Sequence, residues 1–160
     1  MQAINHQKRE DLIQPTLSKM KSLGIQPNEV TYAHMVSYYG RKGDVEKIES
    51  LIKEAVYNNV TVNNHHYNGL LMAYVKRQEP VNAEKVLWEM DELGLEPDVV
   101  CFTSVILAYS KIKKYEKCWE LFEMCEFKNK CDDTLRSIMV WICAATHDAE
   151  KAIKLWNFLQ

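Results

Sequence analysis

Three aromatic residues, Tyr32, Tyr67 and Phe102, stand 35 residues apart, and a separate series, Gly24, Asn59, Gly94 and Asn129, keeps the same interval. Self-similarity at a fixed period in this range marks a repeat array, whose units bury their apolar faces only by stacking on one another. Gly and Asn are the residues that most readily take the left-handed backbone conformation closing a helix. The end of a helix therefore recurs once per period.

The stretches between these marks read as helix pairs. After each aromatic, apolar residues follow at the i, i+3, i+4, i+7 spacing of one helix face: Met35, Val36, Tyr39; Leu70, Leu71, Tyr74; Val105, Ile106, Tyr109. Beyond a short polar turn comes a second periodic stretch: Ile48, Leu51, Ile52, Ala55; Ala83, Val86, Leu87, Met90; Cys118, Leu121, Phe122, Cys125. Gly24 with Pro27, and Gly94 with Pro97, stop a helix and then block its continuation. Pro80 starts a second helix, where its missing N–H costs little.

The expected fold is all-α, an α-solenoid of stacked antiparallel helix pairs forming one domain over residues 1–160. It divides into a partial repeat at 1–28 with a second helix only, repeats at 29–63, 64–98 and 99–133, and a degenerate incomplete repeat at 134–160. In the first of these, Leu17, Met20, Leu23, Gly24 and Pro27 align with Leu87, Met90, Leu93, Gly94 and Pro97. The last has lost one residue, puts Arg136 or Ser137 in the aromatic's place, and offers Val140, Trp141, Ala152, Leu155 and Trp156 as core. A chain that opens in mid-repeat and stops before a closing turn is expected to belong to a longer array, whose neighbours or a partner cover its end faces.

At 47% apolar residues, with five Gly and four Pro, the chain can bury a continuous core. No apolar run approaches the ~20 residues of a membrane span. The five cysteines form no CxxC pair, and Cys118 falls on a core position, so they read as thiols and not as a disulfide framework. Glu10 and Asp11 beside Lys8 and Arg9 do not resemble an acid-poor transit peptide.

A 35-residue helix pair with an early aromatic and a Gly-x-x-Pro-Asp ending resembles the pentatricopeptide repeat family. Val30-Thr31-Tyr32, Tyr67-Asn68-Gly69-Leu70-Leu71 through Gly94-Leu95-Glu96-Pro97-Asp98, and Phe102-Thr103-Ser104-Val105-Ile106 carry the resemblance across nearly the whole chain. It implies a right-handed superhelix lined by the first helices, and binding of single-stranded RNA at one base per repeat. In that family the residue after the aromatic and the last residue of the repeat specify the base. The resemblance thus implies the pairs Ala33 with Asn63, Asn68 with Asp98, and Thr103 with Asp133. Asn with Asp resembles the family's uridine pair, and Thr with Asp its guanosine pair. The residue two before the aromatic packs on the bases in the family, which implies that role for Val30, His65 and Val100.

The chemistry of these pairs stands on its own. Uracil N3 and guanine N1 carry hydrogens that a carboxylate accepts, whereas cytosine N3 and adenine N1 are acceptors and would be repelled. Asn68 reaches a small pyrimidine, and the shorter Thr103 leaves room for a purine. Ala33 offers no hydrogen bond, so its repeat is expected to discriminate poorly. Equally, Asn and Thr near a helix start cap backbone N–H groups, Asp after Pro is a common turn residue, and His65 with His66 is a polar helix start.

Net charge is −2, so charge placement matters more than its sum. Arg41, Lys76 and Lys111 share one register near the ends of first helices, where they either meet successive phosphates or serve as ordinary solvated cations favoured at helix C-termini. Acidic residues concentrate on second helices, at Glu46, Glu49, Glu84, Glu89, Glu120 and Glu123, an outer face by this reading.

No Gly-rich phosphate loop, HExxH or GxSxG stretch is present, and adjacent His65 and His66 point to different helix faces, a poor geometry for one metal. Neither a catalytic residue, a cofactor, a metal, a membrane nor a small-molecule substrate is expected. Two readings remain: RNA binding in organellar RNA stability, processing or translation, mitochondria before plastids, or a protein-binding scaffold in a mitochondrial ribonucleoprotein such as the mitoribosome.

Overall fold

In the computed structural model the described residues are 13–157. Lys8, Arg9, Glu10 and Asp11 lie outside them. Among the described residues every regular element is helical: α1 Ile13–Ser22, α2 Glu29–Lys42, α3 Val45–Tyr57, α4 Asn64–Lys76, α5 Pro80–Glu92, α6 Val99–Lys111, α7 Tyr115–Phe127, α8 Asp133–Thr146 and α9 Ala149–Asn157. The chain divides into two compact units between Lys76 and Arg77, inside the second repeat.

In the first unit α2 packs on α3 and on α4. Tyr32, Met35, Val36 and Tyr39, then Ile48, Leu51 and Ala55, then Tyr67, Leu70 and Leu71 form its core, with Ile52 and Tyr74 half-buried. In the second unit α6 packs on α5 and α7, and α8 on α7 and α9. Ala83, Val86, Leu87, Met90, Phe102, Val105, Ile106, Tyr109, Cys118, Leu121, Phe122 and Cys125 are all buried there. The 3.6-residue period thus locates the core of the three full repeats.

The α2–α4 contact is unusually close. A Cβ built on Gly40 would lie 2.7 Å from the Gly69 carbonyl oxygen, and one on Gly69 would lie 2.2 Å from Val36 Cγ1. Two glycines inside helices, each a sacrifice of propensity, are explained by this backbone approach.

Helix ends repeat in detail. Gly24, Asn59, Gly94 and Asn129 are all left-handed, at φ of 67°, 56°, 69° and 52°. A second series, Gly43, Gln78, Lys113 and His147, is left-handed too, at 75°, 60°, 58° and 58°. The same hydrogen bond closes the turns at Gly24, Gly43, Asn59, Gly94, Lys113, Asn129 and His147, as in Val60 N–H to the Ala55 carbonyl (2.9 Å) and Lys114 N–H to the Tyr109 carbonyl (3.1 Å). Helix starts repeat as well. Asn28 accepts from Thr31 N–H at 3.0 Å, Asp98 from Cys101 N–H at 2.9 Å and Asp132 from Leu135 N–H at 2.7 Å.

These caps correct the boundary of the last repeat. Asp132, not Asp133, occupies the place of Asp98, because the missing residue falls before the cap; Asp133 is the first residue of α8. Arg136 then takes the aromatic's place, bound to Glu126 and Asp133 at 3.3 Å each. The expected core of this repeat is corrected too. Trp141 is 61% and Trp156 55% exposed, and Val140 and Ala152 are half-buried. Leu155 is buried as expected, and Leu135, Met139, Ile142 and Cys143 fill the interior of α8 instead. The burial of α8 is one-sided, toward the helices it packs on, so apolar residues on its other faces stay in water.

Two of the second-helix carboxylates do not face outward. Tyr74 hydroxyl donates to Glu49 at 3.1 Å, and Tyr109 hydroxyl donates to Glu84, one period on. Each bond joins a first helix to the second helix of the preceding repeat, and both glutamates are half-buried.

Candidate nucleic-acid interface

Counted from each cap residue, positions two, five, nine and thirteen are spaced by three, four and four residues and share one stripe of a helix. On α2 these are Val30, Ala33, Ser37 and Arg41; on α4, His65, Asn68, Met72 and Lys76; on α6, Val100, Thr103, Leu107 and Lys111. None of the twelve is buried, because the opposite face of each helix is the core.

In the first unit the two stripes converge on one cleft of about 620 Å³. Its walls include Val30, Ala33, Ser37 and Arg41 from α2, with Asn63, His65, Asn68 and Met72 at and along α4. Six of the residues expected to touch RNA therefore share a single cavity. Lys76 is exposed and is not among the residues lining it. Arg41 Nη1 donates to Ser37 Oγ at 2.9 Å, which sets the guanidinium beside the cleft. Neighbouring Lys42 is turned toward Tyr38, over whose ring its ammonium lies 4.3 Å from the centroid.

Asn63 is engaged at both ends of its amide. Nδ2 donates to a Glu29 carboxylate oxygen at 2.5 Å, and Oδ1 accepts from His65 N–H at 3.0 Å. Its partner in sequence, Ala33, supplies only a methyl group. Asn68 and Thr103 lie five residues past their caps, inside the helix, so the capping role open to such residues does not apply to them. Asp98 is itself a cap, yet a carboxylate accepts about four hydrogen bonds. It also lies against the Cys101 thiol, whose pKa is pushed up to about 12, chiefly by burial and then by this carboxylate.

In the second unit Thr103 is half-buried, while Val100, Lys111 and Asp98 are exposed. The carboxylate matching Asp98 one repeat later is that of Asp132. Asp133 instead points its carboxylate to Arg136. Ser37, Met72 and Leu107 are not among the residues the sequence singles out, yet their spacing from Ala33, Asn68 and Thr103 puts them on the same stripe.

His65 and His66 part as expected, one exposed and the other fully buried. His66 Nδ1 lies 2.9 Å from Asn63 Oδ1, and its Nε2 is buried without a hydrogen-bond partner. Desolvation lowers the His66 pKa, Glu29 and the Asn63 backbone oppose this, and His65 adds to it. Below pH ~6.5 the unfolded chain takes up a proton that the folded chain refuses, so stability falls with pH until the lowered folded pKa is passed. The expected loss is at most about 1.4 kcal/mol per pH unit. Urea denaturation of wild type and His66→Phe between pH 7 and pH 5 checks it: the variant should show the smaller pH dependence.

Among the described residues no group of His, Cys, Asp and Glu is placed to hold a metal, and no helix is long and apolar enough to cross a membrane.

Comparison with known proteins places this architecture. The pentatricopeptide repeat domain model matches residues 1–44, 50–112 and 85–135, and the PPR repeat model matches 30–60. The mitochondrial 15S rRNA processing factor ppr3 of Schizosaccharomyces japonicus is 31% identical over 100 residues, covering 61% of this chain and 15% of the relative. The small ribosomal subunit protein mL103 (rPPR7) of Arabidopsis thaliana is 22% identical over 129 residues, 79% of this chain and 31% of the relative. This chain thus spans well under half of either relative. The pentatricopeptide repeat protein PPR10, crystallised in complex with an 18-nt psaJ RNA element, superposes with a TM-score of 0.75 at 17% identity, over 91% of this chain and 22% of that one. That similarity shows the fold, an α-solenoid of helix pairs.

Proposed function

Given that this chain belongs to the pentatricopeptide repeat family, we propose that it binds single-stranded RNA in an organelle, reading about one base per helix pair. The activity proposed is binding, with no catalytic step assigned to these residues. The observation that carries the reading is the shared cleft, in which Val30, Ala33, Arg41, Asn63, His65 and Asn68 meet although they come from two helices. Such a groove offers side chains to stack on, an amide to hydrogen-bond and a cation for phosphate, the combination that unstacked RNA requires.

Within this reading Val30, His65 and Val100 pack on bases, and Arg41, Lys76 and Lys111 meet phosphates. Asn68 with Asp98 favours U. In the next repeat Thr103 favours G, with Asp132 taking the role assigned to Asp133 from sequence. The Ala33 and Asn63 position discriminates weakly, since the Asn63 amide is committed to Glu29 and to the α4 backbone. Similarity to a mitochondrial rRNA processing factor supports a mitochondrial site of action in RNA processing, stability or translation.

Two observations favour a second reading. The ribosomal relative mL103 and the net charge of −2 fit a scaffold that holds proteins in a ribonucleoprotein and touches RNA by shape and charge alone. Affinities for short single-stranded RNAs of equal length and different sequence separate the two. A dependence on sequence supports RNA reading, and sequence-independent or absent binding supports the scaffold.

A further inference from the structure

The stripe continues onto α8, but with different chemistry. Counted from Asp132, its positions two, five, nine and thirteen are Thr134, Ser137, Trp141 and Ala145. The cation found at this place on α2, α4 and α6 is replaced by a methyl group, and the ninth position carries the largest side chain available. Trp141 is 61% exposed, while the packed side of α8 carries Leu135, Met139, Ile142 and Cys143. Trp141 is therefore no displaced core residue. On α6, which α8 touches, the same register holds Leu107, itself 38% exposed.

We infer that Trp141 is a stacking platform for a base of the bound RNA, taking over where the phosphate cation is lost. This rests on the RNA-binding reading and extends it to a repeat for which no base contact has been assigned. An indole ring presents a flat apolar face that any base can cover, so the contact is tolerant of sequence. RNA is favoured over a protein occupant by continuity: Trp141 holds on α8 the register that Leu107 holds between Thr103 and Lys111 on α6, which α8 touches, and its own stripe neighbours Thr134 and Ser137 are hydroxyl residues. A protein anchor, by contrast, sits in a ring of further contacts that exclude water.

Stacking and charge differ in their response to salt, which makes the inference testable. Affinities of wild type, Trp141→Ala and Trp141→Phe for one labelled RNA are measured across a salt series. The expected result is roughly tenfold weaker binding by the Ala variant, substantial recovery by Phe, and the same salt slope in all three. In a chain carrying W88F, W119F and W156F, the remaining Trp141 emission should be quenched on RNA binding. RNA binding with unaltered affinity in W141A and unmoved Trp141 emission overturns the inference and leaves the RNA reading intact, assigning the ring to a protein contact. Absence of RNA binding by wild type overturns both, and is visible before any substitution is compared.

Discussion

Gly69→Ala is expected to destabilise the protein by about 2–3 kcal/mol, against the roughly 1 kcal/mol that helix propensity alone would add in its favour. The new Cβ would lie 2.2 Å from Val36 Cγ1 and 3.2 Å from the Val36 carbonyl oxygen. Val36 is fully buried and β-branched, with one preferred rotamer in a helix, so its methyl has no easy retreat. The backbone oxygen yields only if α2 and α4 separate, which disturbs the cleft they share. Gly40→Ala should act in the same direction, because its Cβ meets the Gly69 carbonyl oxygen at 2.7 Å. Gly94→Ala is the control: nothing lies within 4 Å of its Cβ, and only the left-handed φ of 69° is strained. That should cost about 1–2 kcal/mol. Denaturant midpoints for the three variants check the ordering, and a Gly69→Ala variant as stable as wild type would contradict the close approach.

Alanine at Arg41, Lys76 and Lys111 together is expected to weaken RNA binding by one to two orders of magnitude near physiological salt, to about the same extent for every RNA sequence. Phosphate contacts release counterions, so the log–log salt slope should also flatten by about one unit or less per cation removed. All three side chains are exposed, so folding should be little affected. A salt titration of the triple variant measures both quantities. An unchanged slope would make the three ordinary surface cations.

Much of the fold is legible in the chain because stacking imposes one period on many positions. The aromatics at 32, 67 and 102 and the apolar faces that follow them are recognisable since only a helix face repeats at that spacing. Gly24, Asn59, Gly94 and Asn129 announce their left-handed turns through residue type. Gln78, Lys113 and His147 adopt the same conformation with no such signal, since the helices on either side, not the residue, force the turn. The Asp132 and Asp133 doublet offers two carboxylates for one place, and only the cap on Leu135 N–H decides between them. Trp141 and Trp156 look like core because they are large and apolar, yet burial needs a neighbour as well as an apolar side chain. The close approach of α2 to α4 had a readable trace in Gly40 and Gly69, two glycines inside helices where alanine would be preferred. Glu49 and Glu84 had none, as nothing in a carboxylate's neighbours along the chain points to a tyrosine 25 residues later.

Base reading requires that a side chain of the stripe chooses a base. Thr103 and Asp132 belong to one compact unit. Affinities are measured for RNA strands that differ only at the nucleotide read by this repeat, using wild type, Thr103→Asn, Asp132→Asn and Asp133→Asn. Wild type should prefer G there, and Thr103→Asn should move the preference to U, by a difference on the order of 1–3 kcal/mol if the contact resembles bidentate base readout in DNA. Asp132→Asn should abolish the preference, which Asp133→Asn should leave in place. An unchanged preference in folded Thr103→Asn would contradict base reading and leave the scaffold as the better description.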